Sequence, residues 1–155
     1  MRVCLQRVRE AAVEVVGEDG VGRVVGEIGV GVLVLVGFGK VETVEGIGWM
    51  AGKVADVRMF GGAGGGSGGG FELSVREVGG EVLVVSQFTL YGDARKGRRP
   101  DFGRAAPFGE AEGWYNLFCE ACRVVLPGRV QTGEFGASMA VRLVNDGPVT
   151  LWLER

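Results

Sequence analysis

Short runs of branched residues at strand spacing, two well-separated helical periods and the lack of any internal repeat predict an α+β fold. The expected architecture is a curved antiparallel-rich sheet, or partial β-barrel, with two main helices packed outside. The chain has 155 residues, 46% of them hydrophobic, which suits one domain over residues 1–155 with a sizeable core.

Residues 1–8 and 11–16 alternate well enough to be strands, and the turn sequence GEDGVG follows them. RVVGEI and VLVLVG read as the next two strands; the run from 29 to 39 is too short to span a bilayer and reads as a buried strand. The period then changes. Val44, Ile47, Met50, Val54 and Val57 fall three or four apart, with Glu42 and Glu45 early and Lys53 and Arg58 late, so residues 43–59 are expected to be a helix. Gly46 and Gly48 weaken it by about 1 kcal/mol each relative to alanine.

The polyglycine stretch 61–70 follows a helix and contains no lysine, so it reads as a flexible surface loop and not as a phosphate cradle. After the turn VGG, the run EVLVVSQFTL reads as a core strand ending in Ser86, Gln87, Phe88, Thr89 and Leu90. A long loop with basic residues comes next. Residues 110–125 form a second helix with Trp114, Leu117, Phe118, Ala121 and Val125 on one face. Residues 139–144 and 149–153 are expected to be two strands joined by a hairpin turn at Asn145-Asp146-Gly147-Pro148.

The net charge of −2 provides no global field for nucleic acid or anionic membrane, so any such contact has to be a local patch. The charged N-terminal residues lack an apolar targeting core, and the cytoplasm is the expected location. Three cysteines argue against a disulfide framework, and Cys119 and Cys122 read as small thiols packed on a helix. The chain has no histidine. That removes Ser-His and Cys-His catalysis and makes a zinc site unexpected, so no metal and no cofactor are predicted.

Two places carry polar groups that strand propensity does not require. Ser86, Gln87, Phe88 and Thr89, at a strand end, either satisfy nearby backbone or present hydroxyls, a carboxamide and N–H groups to a ligand. Gly147-Pro148 is either plain turn chemistry or a placed pair of carbonyls. The basic residues Arg95, Lys96, Arg98 and Arg99 can grip phosphates, or can simply be a solvated loop with Asp93 and Asp101.

The segments SQFTLYGDARKGRRPDF and NDGPVTLWLE, with QRV, GEIGVGVLVLVGFGK, RAAP and FGASMAV in matching order, resemble the D-aminoacyl-tRNA deacylase family, formerly called D-tyrosyl-tRNA deacylases. The resemblance runs nearly end to end. It implies a homodimer, with the active site at the subunit interface, acting on the 3′ end of aminoacylated tRNA. The reaction is hydrolysis of the ester holding a D-amino acid, with glycyl-tRNA mischarged on alanine tRNA as an expected second substrate.

The same resemblance implies that Gly147 and Pro148 form a cis peptide reaching into the partner's pocket, where their carbonyls meet the substrate α-amino group and exclude L side chains. Arg7 matches the arginine that holds that pair, Met139 a pocket residue, and Ser86, Gln87, Phe88 and Thr89 the pocket floor. Without histidine, Thr89 has no evident base. The family account in which the ribose 2′-hydroxyl assists the water, and an N–H near Phe88 or Thr89 holds the oxyanion, fits this chain better. Two departures stand out: polyglycine with Phe71-Glu72 where the family carries an acidic turn, and Ala140 where it carries a longer polar side chain.

Overall fold

The computed structural model describes residues 1–17, 20–62 and 70–155. Among the described residues, eight strands and two α-helices follow one another as β1 (Arg2–Val16), β2 (Gly22–Ile28), β3 (Gly31–Gly37), α1 (Val44–Asp56), β4 (Arg58–Phe60), β5 (Leu73–Ser74), β6 (Glu81–Ser86), α2 (Phe108–Val125), β7 (Val130–Thr132) and β8 (Met139–Glu154). The main sheet runs β2-β1-β3-β6-β7, and β8 also pairs with β1. The pairs β1–β2, β1–β3 and β1–β8 are antiparallel, whereas β3–β6 and β6–β7 are parallel. β2 comes back toward β7: a Cβ on Gly26 would lie 2.8 Å from the Thr132 carbonyl, so the sheet curls almost into a barrel. The expected fold class is the observed one.

Sequence patterning explains who sits where. β3 and β6 are apolar at nearly every position and buried on both faces, as central parallel strands require. β1 alternates, but its alternation slips at Val8, Arg9 and Glu10, where buried neighbours are followed by two exposed ones. That slip is where β1 changes partner from β3 to β2. The two expected strands 1–8 and 11–16 are therefore one bent strand: a bulge re-aims the chain without ending the ladder.

The helices cover one side of the sheet. α1 begins with Thr43 as its N-cap, the side chain accepting the Gly46 N–H at 3.0 Å, and it ends before Val57. The expected helix was longer; Arg58–Phe60 instead form β4, which pairs with β5. α2 starts at Phe108, directly after Pro107, and its buried face is Ala111, Tyr115, Phe118, Cys119 and Cys122. The expected face is rotated by part of a turn, so Trp114, Leu117, Ala121 and Val125 only flank the core. Cys119 and Cys122 are buried free thiols, and burial pushes the Cys119 thiol up to about 11.

A second, smaller cluster lies on the opposite side of the sheet: Val8, Val13, Ile28, Leu33, Leu83 and Val85. Residues 63–69 of the polyglycine stretch lie outside the described residues. Among the described residues no helix is long and apolar enough to cross a membrane.

Two local expectations need correction. The strand expected to run through Leu90 stops at Ser86; Phe88–Tyr91 form a 3₁₀ turn, because the Leu90 N–H donates to Gln87 (3.2 Å) and the Gly92 N–H to Thr89 (2.9 Å). There is also no hairpin at 145–148. β8 is one strand from Met139 to Glu154, and Asn145–Pro148 are part of it. In its register with β1, Val8 faces Asn145 and Gln6 faces Thr150, so Arg7 alone opposes four residues. A bulge takes Pro148, which has no N–H to donate, out of the ladder.

Candidate active site

The end of β6 and the following 3₁₀ turn are held against β3. The Gln87 N–H donates to the Val36 carbonyl at 2.7 Å, and the Ala106 N–H to the Phe38 carbonyl at 2.9 Å. Gly37 permits this closeness, since a Cβ there would sit 2.7 Å from the Gln87 carbonyl oxygen. The result is a cleft of about 490 Å³. Its floor is Val36, Gly37, Ser86, Gln87 and Phe88, and its walls include Phe38, Phe108, Phe135 and Met139.

The aromatic walls are built from two directions. The Phe108 and Phe135 rings lie 5.1 Å apart, and Phe135 packs 5.5 Å from Tyr115. The Tyr115 hydroxyl donates toward the Val84 carbonyl at 3.0 Å and lies 3.2 Å from the Gly133 carbonyl, tying β6 to the end of β7. Burial pushes the Tyr115 phenol well above its usual value. At the mouth, Phe88 is exposed and meets Phe102 edge-on at 5.1 Å.

The polar groups are few. Ser86 and Gln87 are half-buried; Thr89 is exposed, does not line the cleft, and its hydroxyl accepts a hydrogen bond from the Gln87 amide. The hydrogen bonds of the 3₁₀ turn begin with the Leu90 N–H, so the Phe88 and Thr89 N–H groups stand outside its ladder, as at any helix start. Among the described residues no group of three or more cysteines and carboxylates could hold a metal ion.

The remaining sequence-selected residues gather elsewhere. The Gly147-Pro148 peptide is cis, and both residues are exposed. Arg7, only 7% exposed, donates from Nε to the Asp146 carbonyl at 2.9 Å and from a terminal nitrogen to the Met59 carbonyl at 2.6 Å. Its guanidinium lies 5.9 Å from the Phe60 ring centroid. Gly147 and Pro148 do not line the cleft of their own chain. The two halves of the expected site are thus separate in one chain.

The whole match is decided by comparison with known proteins. A family profile described as D-Tyr-tRNA(Tyr) deacylase matches residues 4–154. The chain belongs to the D-aminoacyl-tRNA deacylase family. As a member it is a deacylase, a hydrolase acting on an ester bond. It is 50% identical over 156 residues to the D-aminoacyl-tRNA deacylase of Cyanothece sp., covering 100% of this chain and 92% of that protein. The corresponding protein of Akkermansia muciniphila is 47% identical over 154 residues, covering 99% and 97%.

Solved structures agree with the deacylase fold. One described as c-Myc DNA Unwinding Element Binding Protein has a TM-score of 0.89 at 39% identity, covering 100% of this chain and 99% of that one. A probable eukaryotic D-amino acid tRNA deacylase has a TM-score of 0.83 at 22% identity, covering 98% and 97%, and shows the fold alone.

Within this deacylase the basic loop divides. Arg95, Lys96, Arg98 and Arg99 are all exposed. Asp93 clasps Arg95, Nε lying 2.9 Å from Oδ1, and this guanidinium holds the Asp93 carboxyl well below the usual carboxylate range. Sequence reading also missed residues. Phe108 and Phe135 were assigned no role, although two aromatics each followed directly by a glycine were a usable signal. Asn145 and Asp146 read as turn formers, and only the fold brings them to Arg7.

Proposed function

We propose that the enzyme hydrolyses the ester joining a D-amino acid to the 3′-terminal adenosine of tRNA, releasing the free amino acid and reusable tRNA. The observation that carries this reading is the cleft at the end of β6, where an aromatic-walled space of about 490 Å³ meets Phe88, the residue whose unladdered N–H opens the 3₁₀ turn, with the Thr89 N–H next along the chain. Rings such as Phe108 and Phe135 suit the flat face of a terminal adenine. Water attacks the ester carbonyl, the oxyanion is held by the Phe88 or Thr89 N–H, and the 3′-oxygen leaves as a ribose hydroxyl. One such donor lowers the barrier by about 2.7–4 kcal/mol. With no histidine in the chain, the neighbouring ribose 2′-hydroxyl assists the water. An aminoacyl ester is already activated, so orientation with one or two donors suffices.

Selectivity comes from a second copy of the chain. Gly147 and Pro148 are exposed and lie away from their own cleft, which suits insertion into a partner's cleft in a homodimer. Their carbonyls receive the substrate α-amino group, and an L side chain runs into that backbone while a D side chain points away. Glycine cannot be excluded in this way, so glycyl-tRNA mischarged on alanine tRNA is a second substrate. Lys96, Arg98 and Arg99 contact acceptor-end phosphates, with Arg95 a weaker contributor because Asp93 holds it. The setting is the cytoplasm, where charged tRNA is made and used.

A second reading, nucleic-acid binding without turnover, draws on the solved structure with TM-score 0.89, a DNA unwinding element binding protein by name. One assay separates them: purified protein is incubated with D-tyrosyl-, L-tyrosyl- and glycyl-tRNA and ester loss is followed. Loss of the D-tyrosyl and glycyl esters with retention of the L-ester is expected. No loss of any ester favours the binding module, and equal loss of both tyrosyl esters removes the gate.

A further inference from the structure

We propose that Asn145 is a positioning residue for the Gly147-Pro148 gate, setting where these two residues project and thereby the choice between D- and L-aminoacyl esters. The inference rests on the reading above that the Gly-Pro carbonyls form the gate.

The bulge creates the need. Arg7 is the single β1 residue facing Asp146, Gly147, Pro148 and Val149, so regular ladder bonds cannot fix all four. Pro148 has no N–H, and a carbonyl on the opposing strand at this point has to find its donor elsewhere. Asn145 provides it. Its Nδ2 donates to the Arg7 carbonyl at 2.8 Å and, more weakly, points to the Val149 carbonyl at 3.4 Å. One side-chain amide, with two hydrogens, thus straps the two ends of the bulge to each other.

The other end of the same amide reaches the gate itself. A Cβ built on Gly147 would lie 2.7 Å from Asn145 Oδ1, so that oxygen packs directly against the Gly147 backbone. The strap therefore touches the segment that has to be aimed. Its anchors are firm: Val149 is 7% exposed in the core, and the Asp146 carbonyl takes the Arg7 Nε at 2.9 Å. Asp146 is clasped as well, since Arg9 Nε lies 3.2 Å from its Oδ1. Asn145 itself is exposed, so replacing it opens no core cavity.

The test is Asn145→Asp, which keeps the shape but sets an oxygen against two carbonyl oxygens, and Asn145→Ala, which removes the strap. For wild type and both variants, kcat/KM is measured for D-tyrosyl- and L-tyrosyl-tRNA on the same preparation. The ratio of the two is independent of how much of the sample is folded. The D/L ratio is expected to fall by about tenfold or more in both variants, the effect of losing one hydrogen bond of ordinary strength at a discriminating contact. If both rates fall by one common factor and the ratio holds, Asn145 is merely structural and the proposal is overturned. If wild type itself shows no preference for the D-ester, the gate reading fails first, and that result is distinct from the variant result.

Discussion

Arg7 and Asp146 are joined twice: the Arg7 Nε donates to the Asp146 carbonyl at 2.9 Å and lies 3.0 Å from its carboxylate Oδ2. A third bond, to the Met59 carbonyl at 2.6 Å, fixes the same guanidinium to β4. One buried side chain therefore connects the bulge in β8 to a separate two-stranded sheet. Replacing it with Met keeps the apolar stem and removes every donor. Arg7→Met is expected to lower the unfolding free energy by about 2–3 kcal/mol, since hydrogen bonds to a charged group carry about that much and two carbonyls lose their partner. Urea denaturation measures it; a loss under about 0.5 kcal/mol, the size of an ordinary surface substitution, would show that the fork contributes little.

Gly37 carries the approach of β3 to the 3₁₀ turn. Gly37→Ala puts a methyl 2.7 Å from the Gln87 carbonyl oxygen, a backbone atom that cannot swing aside. The turn has to shift by several tenths of an ångström. Deacylation should drop by about tenfold, short of the roughly 10²-fold cost of misplacing reacting groups by a full 1 Å. Kinetics on the D-tyrosyl ester check this, and an unaltered kcat would separate the turn from the chemistry.

Thr89 lies outside the cleft and its hydroxyl is engaged by the Gln87 amide. Thr89→Ala keeps the backbone N–H and removes only the hydroxyl. Substantial activity, within about tenfold of wild type, is expected, because loss of a general acid–base group costs about 10²–10⁴. Complete loss would instead assign the Thr89 hydroxyl a direct chemical role, such as that of the nucleophile.

Alkaline pH should destabilise the fold. Burial raises the Tyr91 phenol from 10.0 to about 12 and the Cys119 thiol from 9.0 to about 11, and raises Cys122 and Tyr115 as well. These groups fold in their neutral forms. Their contribution is complete below the unfolded values and is lost as pH climbs through the window between about 9 and 12. The urea midpoint should hold steady from about pH 7 to 8.5 and then fall. A midpoint unchanged at about pH 10.5 would mean that these groups ionise freely in the folded state.

The basic loop should act through phosphates. Replacing Lys96, Arg98 and Arg99 together with Ala is expected to raise KM and to flatten the dependence of log KM on log salt by roughly 0.7 for each phosphate no longer neutralised. Arg95→Ala alone should do less, because Asp93 already occupies that guanidinium. Steady-state measurements over a salt series decide between a binding loop and a merely solvated one.

Much of this was legible in the chain. Alternation in β1, continuous apolar runs in β3 and β6, and the helical periods of α1 and α2 state the fold class because side-chain period follows backbone geometry directly. The motif around Ser86–Phe88 and the absence of histidine narrowed the chemistry without coordinates. What propensity could not give was continuity. Asn-Asp-Gly-Pro is turn chemistry by every local rule, yet β8 runs straight through it.

The reason lies across the sheet. The long antiparallel partner β1, with Arg7 and its carbonyl bonded to Asp146 and Asn145, holds these residues as a bulge within a strand. A lone segment cannot count those bonds. In the same way, Thr89 and Phe88 are neighbours in sequence, but the 3₁₀ turn puts only Phe88 on the cleft. Sequence by itself determined the fold class, most of the elements and the family motifs, since these depend on local period and residue type. Tertiary structure alone decided which strand pairs where, which side chains meet in the cleft and how Gly147 and Pro148 are held, since each depends on partners far away in the chain.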